Sequence, residues 1–261
     1  MNNKKQKKWN IKAVLMYDGS SYDGWQRLVT EGKNKSLQYI IEQVLSDCIK
    51  EEVKITGSGR TDKGVHALHQ VINFSSKTRL DLDILKNEVN GLLPEDIKVL
   101  FMSYASINFH SRFDAKKKTY EYRLVKEDNQ SVFTRKYTYP VQNNIDIKAM
   151  IIGAEFLIGT HDFKAYSTDK KDKKSTVRTI HSIEIKNVCD YTTKYKDEIR
   201  IEITGNGFLY NMVRIIVGTL VEVGEGKKSP LDVKNILESK NRSLAGATIG
   251  CQGLFLKKVD Y

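Results

Sequence analysis

Apolar residues along this 261-residue chain alternate between two spacings, every second residue and every three to four, and both halves of the chain do so in a similar way. In the first half, Ile11 to Met16 has strand character. Leu37, Ile40, Ile41, Val44, Leu45, Cys48 and Ile49 then fall at helical spacing behind Ser36, whose hydroxyl suits an N-cap. Strands are expected at Val53–Thr56 and Val65–Phe74, the second with Leu68, Ile72 and Phe74 on one face. A helix over Asp81–Leu92 is stopped by Pro94, and a strand follows over Ile97–Tyr104. The second half predicts strands at 119–125, 180–185, 198–203 and 254–259, with helices at 147–157 and 209–221. Strands mixed with helices in this order give an α+β fold: two α/β sandwich subdomains with mainly antiparallel sheets, over residues 9–108 and 109–261. Residues 1–8 read as a flexible basic tail, and Ser167–Thr176 is expected to be poorly ordered because its Lys, Asp and Ser have little to bury.

Charge narrows the partner class. Lys and Arg number 43 against 32 Asp and Glu, a net charge of +11, which favours a polyanion such as nucleic acid. The positive residues are concentrated at Lys4–Lys8, Lys116–Lys118 and Lys170–Lys174, and the middle run leads directly into an aromatic strand. Cys48, Cys189 and Cys251 are odd in number and have no CxxC spacing, which points to a reducing cytosol. No apolar run approaches the roughly 20 residues that span a bilayer, so a soluble, cytoplasmic chain without a membrane partner is expected.

The octapeptide Gly57-Ser-Gly-Arg-Thr-Asp-Lys-Gly64 places one carboxylate, Asp62, between two cations in a glycine-bounded loop between the two strands. Such a loop can present a side chain to a cleft. Arg60 and Lys63 can hold phosphates and lower the pKa of Asp62, which makes Asp62 a candidate nucleophile; a solvated turn is the plainer alternative.

Several separated blocks carry a resemblance. Gly59-Arg-Thr-Asp-Lys-Gly-Val-His-Ala67 resembles the signature of the tRNA pseudouridine synthase A family, and Tyr17-Asp-Gly-Ser-Ser-Tyr-Asp-Gly-Trp-Gln26 its N-terminal block. Asn90–Ile97, Phe109-His-Ser-Arg-Phe113 with Lys118-Thr-Tyr-Glu-Tyr122, and Gly159–Phe163 with Val177–Ile180 are similar to further blocks. Asn206-Gly-Phe-Leu-Tyr-Asn-Met-Val-Arg214 followed by Gly218 resembles its C-terminal block. Two positions depart: Ile249-Gly-Cys-Gln precedes Gly253-Leu254 where the family commonly has Ala-Pro-Ala, and Tyr166 stands for a common Phe.

The resemblance implies an isomerase that converts uridine to pseudouridine at positions 38, 39 and 40 of the tRNA anticodon stem-loop, without cofactor or metal, as a homodimer with tRNA lying across both subunits. It implies that the two subdomains meet at a central RNA-binding cleft. It assigns Asp62 as nucleophile or base and Arg214 as its charge partner, an arrangement that depresses a carboxylate pKa by about 1–3 units. Tyr120 would stack on the uracil and handle protons at C5, Leu254 would wall the base pocket, and Arg60 would fill the gap left by a flipped base. The residues themselves leave other roles open: strand packing for Tyr120, core packing for Leu254, a phosphate contact for Arg60 and a solvated helix end for Arg214. Lys116, Lys117 and Lys118 beside Tyr120 are expected to grip the RNA backbone.

Other polar pairs point less far. His66 and His69 lie on opposite faces of a predicted strand without an HExxH motif, so no metal site is expected there. His161-Asp162 reads as a helix-end or loop cap. A paralogue acting on another RNA such as ribosomal RNA, or a non-catalytic RNA-binding protein, would share the charge and the aromatics, but the latter would not need Asp62. A nucleotide-cofactor enzyme would need the GK[ST] ending that this loop lacks.

Overall fold

The computed structural model describes residues 8–27, 35–168, 175–188 and 198–261. Lys4–Lys7 of the expected tail, Lys170–Lys174 and Cys189 lie outside the described residues. The chain divides into two compact units, Met1–Lys116 with Leu256–Tyr261, and Lys117–Phe255. Residues 109–116 and the last six residues, which the sequence pattern places in the C-terminal half, belong to the first unit.

In the first unit, β1 (Trp9–Tyr17) pairs antiparallel with β3 (His66–Ser76) and with β4 (Ile97–Tyr104), and the end of β10 (Leu254–Asp260) completes the order β4-β1-β3-β10. Alternate residues of β1, namely Ile11, Ala13, Leu15 and Tyr17, are buried with Ile72 and Phe74 of β3. They share a core with Leu37, Ile41 and Leu45 of α1 (Leu37–Ile49) and with Leu85 and Val89 of α2 (Leu82–Leu92). Ser36 caps α1 by accepting the Tyr39 N–H, and Asp81 caps α2 by accepting from Asp83 and Ile84.

One strand expectation is corrected. Only Thr56–Gly57, here β2, pairs with a neighbour, and Val53–Ile55 does not form a strand. The reason lies in α1: Ser46 Oγ accepts the Val53 N–H at 2.9 Å, and the buried Glu42 carboxylate accepts the Ile55 N–H at 3.1 Å. With those donors satisfied by side chains, the segment buries Val53 and Ile55 in strand-like alternation without a ladder.

In the second unit, β5 (Lys117–Lys126), β9 (Glu198–Gly205), β8 (Val177–Val188) and β7 (Gly159–Asp162) are joined antiparallel in that order, while β6 (Tyr139–Val141) runs parallel to β5. α4 (Met212–Gly224) is buried on nearly every side, which identifies it as the central helix of the unit. It starts three residues later than the apolar pattern predicts, because Asn211 adopts a left-handed conformation at φ 60°. α3 (Ile147–Glu155) and α5 (Pro230–Ser239) pack together and against α4. The apolar spacing overlooked α5, although Ser229-Pro230 and Asp232 carry its start signal: the structure forms a complete capping box there. The α+β class holds in both units. No helix among the described residues is long and apolar enough to cross a membrane.

Candidate active site

The loop bearing Asp62 is fastened at almost every residue around the carboxylate. Ser58 is fully buried; its N–H reaches the Val71 carbonyl at 2.7 Å and its hydroxyl reaches Gln70 Oε1 at 2.7 Å. The Gln70 amide donates in turn to the Gly59 carbonyl at 2.9 Å. Thr61, next to Asp62, is held from both ends, its carbonyl by the Trp25 N–H at 3.0 Å and its hydroxyl by Tyr17 at 2.8 Å. Asp62 closes a turn by accepting the Val65 N–H at 3.1 Å, and Gly64 takes φ 76° at the third position, as a type II turn demands. The loop therefore holds half-buried Asp62 in place, while Arg60 and Lys63 project into solvent.

Three residues of the N-terminal block form the other side of this mount. Trp25 is buried over Gly57, where a Cβ would come within 2.6 Å of the indole. Tyr17 stacks on Trp25 with centroids 6.1 Å apart, and burial pushes its phenol well above the usual range, so it remains a hydroxyl able to bond Thr61. Gly24 has φ 94°, and a Cβ there would sit 3.0 Å from the Thr61 carbonyl and 3.1 Å from the Lys63 nitrogen. Residue types alone did not assign these supports, because a buried glutamine or serine on a strand carries no signal until its partner is known.

Lys63 differs from the sequence expectation. Its ammonium lies 2.8 Å from Asp23 Oδ1; the bond raises the lysine pKa and lowers that of Asp23. Its charge is thus engaged by Asp23. His66 is buried beside Asp18 and Gly19, and His161-Asp162 ends β7, where Asp162 caps the loop leading into the 3-10 turn that begins at Lys164. Asp162 accepts from the Thr176 hydroxyl and the Lys164 N–H and pairs with Lys240 at 3.1 Å, a tethering role.

The second unit holds Tyr120, Arg214 and Leu254. Tyr120 is buried on β5 and meets the Phe208 ring edge-on at 5.1 Å. Arg214, in the first turn of α4, donates through Nε to the Ile249 carbonyl at 2.7 Å and through a terminal nitrogen to Asn211 Oδ1 at 3.1 Å. The segment from Ile249 to Leu254 is pinned along its length: buried Tyr122 donates to the Gly250 carbonyl at 2.5 Å, Leu254 N to the Cys251 carbonyl at 3.0 Å, and Arg123 N to the Gly253 carbonyl at 2.9 Å. Arg214 and buried Leu254 are thereby linked through one short stretch of backbone. These contacts use backbone carbonyls, so the unusual side chains at 249–252 leave them intact. Lys116 and Lys117 are exposed and Lys118 is half-buried.

Comparison with known proteins gives the family. A family model described as "tRNA pseudouridine synthase" matches residues 13–114 and 154–261. The chain belongs to the tRNA pseudouridine synthase family. It is 43% identical over 253 residues to "tRNA pseudouridine synthase A 2" of Clostridium tetani, spanning 97% of this chain and 98% of that one. It is 43% identical over 252 residues to "tRNA pseudouridine synthase A" of a Bacillus species, strain KSM-64, spanning 97% and 99%. "tRNA pseudouridine synthase A" of Thermoanaerobacter sp. strain X514 is 40% identical over 252 residues, with coverage of 97% and 99%. Members of the tRNA pseudouridine synthase family are isomerases, and the reaction converts a uridine of tRNA to pseudouridine. The bond from uracil N1 to ribose C1′ breaks, the base turns, and C5 bonds to C1′ while its proton is lost and N1 is protonated, a redox-neutral rearrangement.

The mount on Asp62 makes a testable demand. Gln70→Leu would remove the acceptor of the buried Ser58 hydroxyl and the donor to the Gly59 carbonyl, at about 1–3 kcal/mol for a buried group that loses its partner. The expected result is a loss of roughly 2 kcal/mol in urea unfolding and a lower kcat with KM nearly unchanged. Unchanged kcat would show that the loop does not depend on Gln70.

Proposed function

We propose that this chain isomerises the uridines at positions 38, 39 and 40 of the tRNA anticodon stem-loop. The observation that carries the reading is a single carboxylate, Asp62, held on a loop whose neighbours are locked by Ser58, Gln70, Thr61, Tyr17 and Trp25. Family membership supplies the substrate class. Asp62 starts the reaction, either by adding to the ribose or base as a nucleophile or by abstracting a ribose proton. Arg214 supplies the positive charge for that carboxylate. Tyr120 stacks on the uracil and handles the proton at C5, and Leu254 is the apolar wall of the base pocket. Arg60, exposed beside Asp62, fills the gap when the nucleotide leaves the stack, and Lys116, Lys117 and Lys118 contact phosphates. The enzyme works in the cytoplasm as a homodimer without metal or cofactor; its tRNA substrate and unpaired cysteines Cys48 and Cys251 support that location.

Mapping pseudouridine in RNA from a deletion strain, with and without the gene restored, tests the positions. Loss confined to positions 38–40 of tRNA, regained on complementation, is the expected result. Loss at ribosomal RNA sites with intact anticodon stem-loops would overturn it.

A further inference from the structure

The turn at residues 109–114 holds one aromatic ring out in solvent. Phe113 is 75% exposed, yet its backbone is closely constrained. His110 Nδ1 accepts the N–H groups of both Arg112 and Phe113 at 3.2 Å, so the ring proton sits on Nε2. Asp114 Oδ2 accepts the His110 N–H at 2.9 Å, and Asp114 N returns to the His110 carbonyl at 3.0 Å. Ser111 roots the turn. It is fully buried, donates its hydroxyl to the Thr56 carbonyl at 2.6 Å and its N–H to Asn73 Oδ1 at 2.9 Å, and accepts from the Tyr261 hydroxyl at 2.7 Å. Thr56 immediately precedes the Asp62 loop, so the turn is fixed to the same strand that leads into it.

The ring is also oriented. The imidazole of His110 lies 4.2 Å from the Phe113 centroid at 31°, and the phenyl ring is still three-quarters exposed. The Arg112 guanidinium stands 5.7 Å from the same ring, and Lys116 is exposed three residues on. Exposed apolar side chains are ordinary when they are loose and isolated. A pre-oriented aromatic face among cations has the chemistry of a base-stacking platform, in which the π-face takes the base and the cations take the phosphates.

We infer that Phe113, backed by His110, stacks on an unpaired base of the bound RNA, forming a binding subsite separate from the uridine undergoing reaction. The inference rests on the tRNA reading above. The turn is hydrogen-bonded and the ring already in contact with His110 before RNA arrives, so stacking has less left to order. Charge selects the partner: Arg112, Lys116 and a net charge of +11 favour a polyanion over an apolar protein surface.

The experiment measures affinity for a tRNA anticodon stem-loop and for a fully paired, two-strand RNA duplex with the same number of nucleotides, over a range of salt, for wild type and variants. Phe113→Ala should weaken stem-loop binding about 5- to 150-fold, the range of a base–aromatic stack worth about 1–3 kcal/mol, and should leave duplex binding unaffected. Phe113→Trp should retain affinity and Phe113→Leu should not. The slope of log K against log salt should stay as in wild type for Phe113→Ala, and fall by about 0.7–0.9 for Lys116→Ala. Unchanged stem-loop affinity in Phe113→Ala, or full rescue by Leu, would overturn the stacking role. A change of oligomeric mass in Phe113→Ala without loss of RNA affinity would assign the ring to a protein interface and overturn it as well. A wild-type chain that neither binds nor modifies tRNA overturns the tRNA reading together with this one, whereas normal wild-type modification with an indifferent Phe113→Ala overturns this one alone.

Discussion

Asp62→Asn should reduce the single-turnover rate on tRNA by roughly 10⁴-fold or more, at the upper end of what a positioned proton-transfer group contributes, while tRNA affinity stays within a few fold. The substitution keeps size and shape and removes the charge and basicity. The loop should survive it, because the hydrogen bonds of the Asp62 carbonyl and of Ser58, Gly59 and Thr61 hold its backbone. Gly64 at φ 76° and the close approach of Gly24 are likewise unchanged. Thermal unfolding within about a degree of wild type, together with lost turnover, separates chemistry from folding. Retained isomerisation in the folded variant would remove Asp62 from the centre of the mechanism.

Arg214→Ala should lower kcat by about 10²–10³-fold, the typical cost of removing one positioned electrostatic group from an active site. Here two effects must be distinguished. The side chain also satisfies the Ile249 carbonyl at 2.7 Å and Asn211 Oδ1 at 3.1 Å, so its loss should destabilise the fold by about 1–3 kcal/mol, read in urea. Arg214→Lys keeps the charge and gives up the planar fork that reaches both acceptors, so it should recover part of kcat and little of the stability. A folded Arg214→Ala enzyme with near-normal turnover would show that the carboxylate does not need this charge.

Most of the secondary structure was legible because it follows local rules. Ser36 caps α1 where its position ahead of apolar periodicity places it, Asp81 caps a helix whose bounds the pattern places one residue early, and β9 alternates buried and half-buried residues along its whole length. α4 was harder to bound, since a helix buried on nearly all sides has no polar face to mark its ends, and Asn211 sets its start through a left-handed backbone. Val53–Ile55 failed as a strand for a tertiary reason: its donors go to Glu42 and Ser46, which lie on a helix that the local pattern cannot relate to it.

The α+β class, the basic character and the family are all legible in the chain, the last through blocks that match in order along it. Asp62 is legible there too, because a lone acid between cations and glycines is a local signal. How that acid is held depends on packing between residues far apart in the chain. Gln70 to Ser58 spans 12 residues, Thr61 to Tyr17 spans 44, and Ser111 to Tyr261 spans 150. The engagement of Lys63 by Asp23, 40 residues away, was equally invisible. Hydrogen bonds of this kind depend on which strands lie side by side, a property of the packed core, whereas periodicity and capping are set within a few residues of the chain.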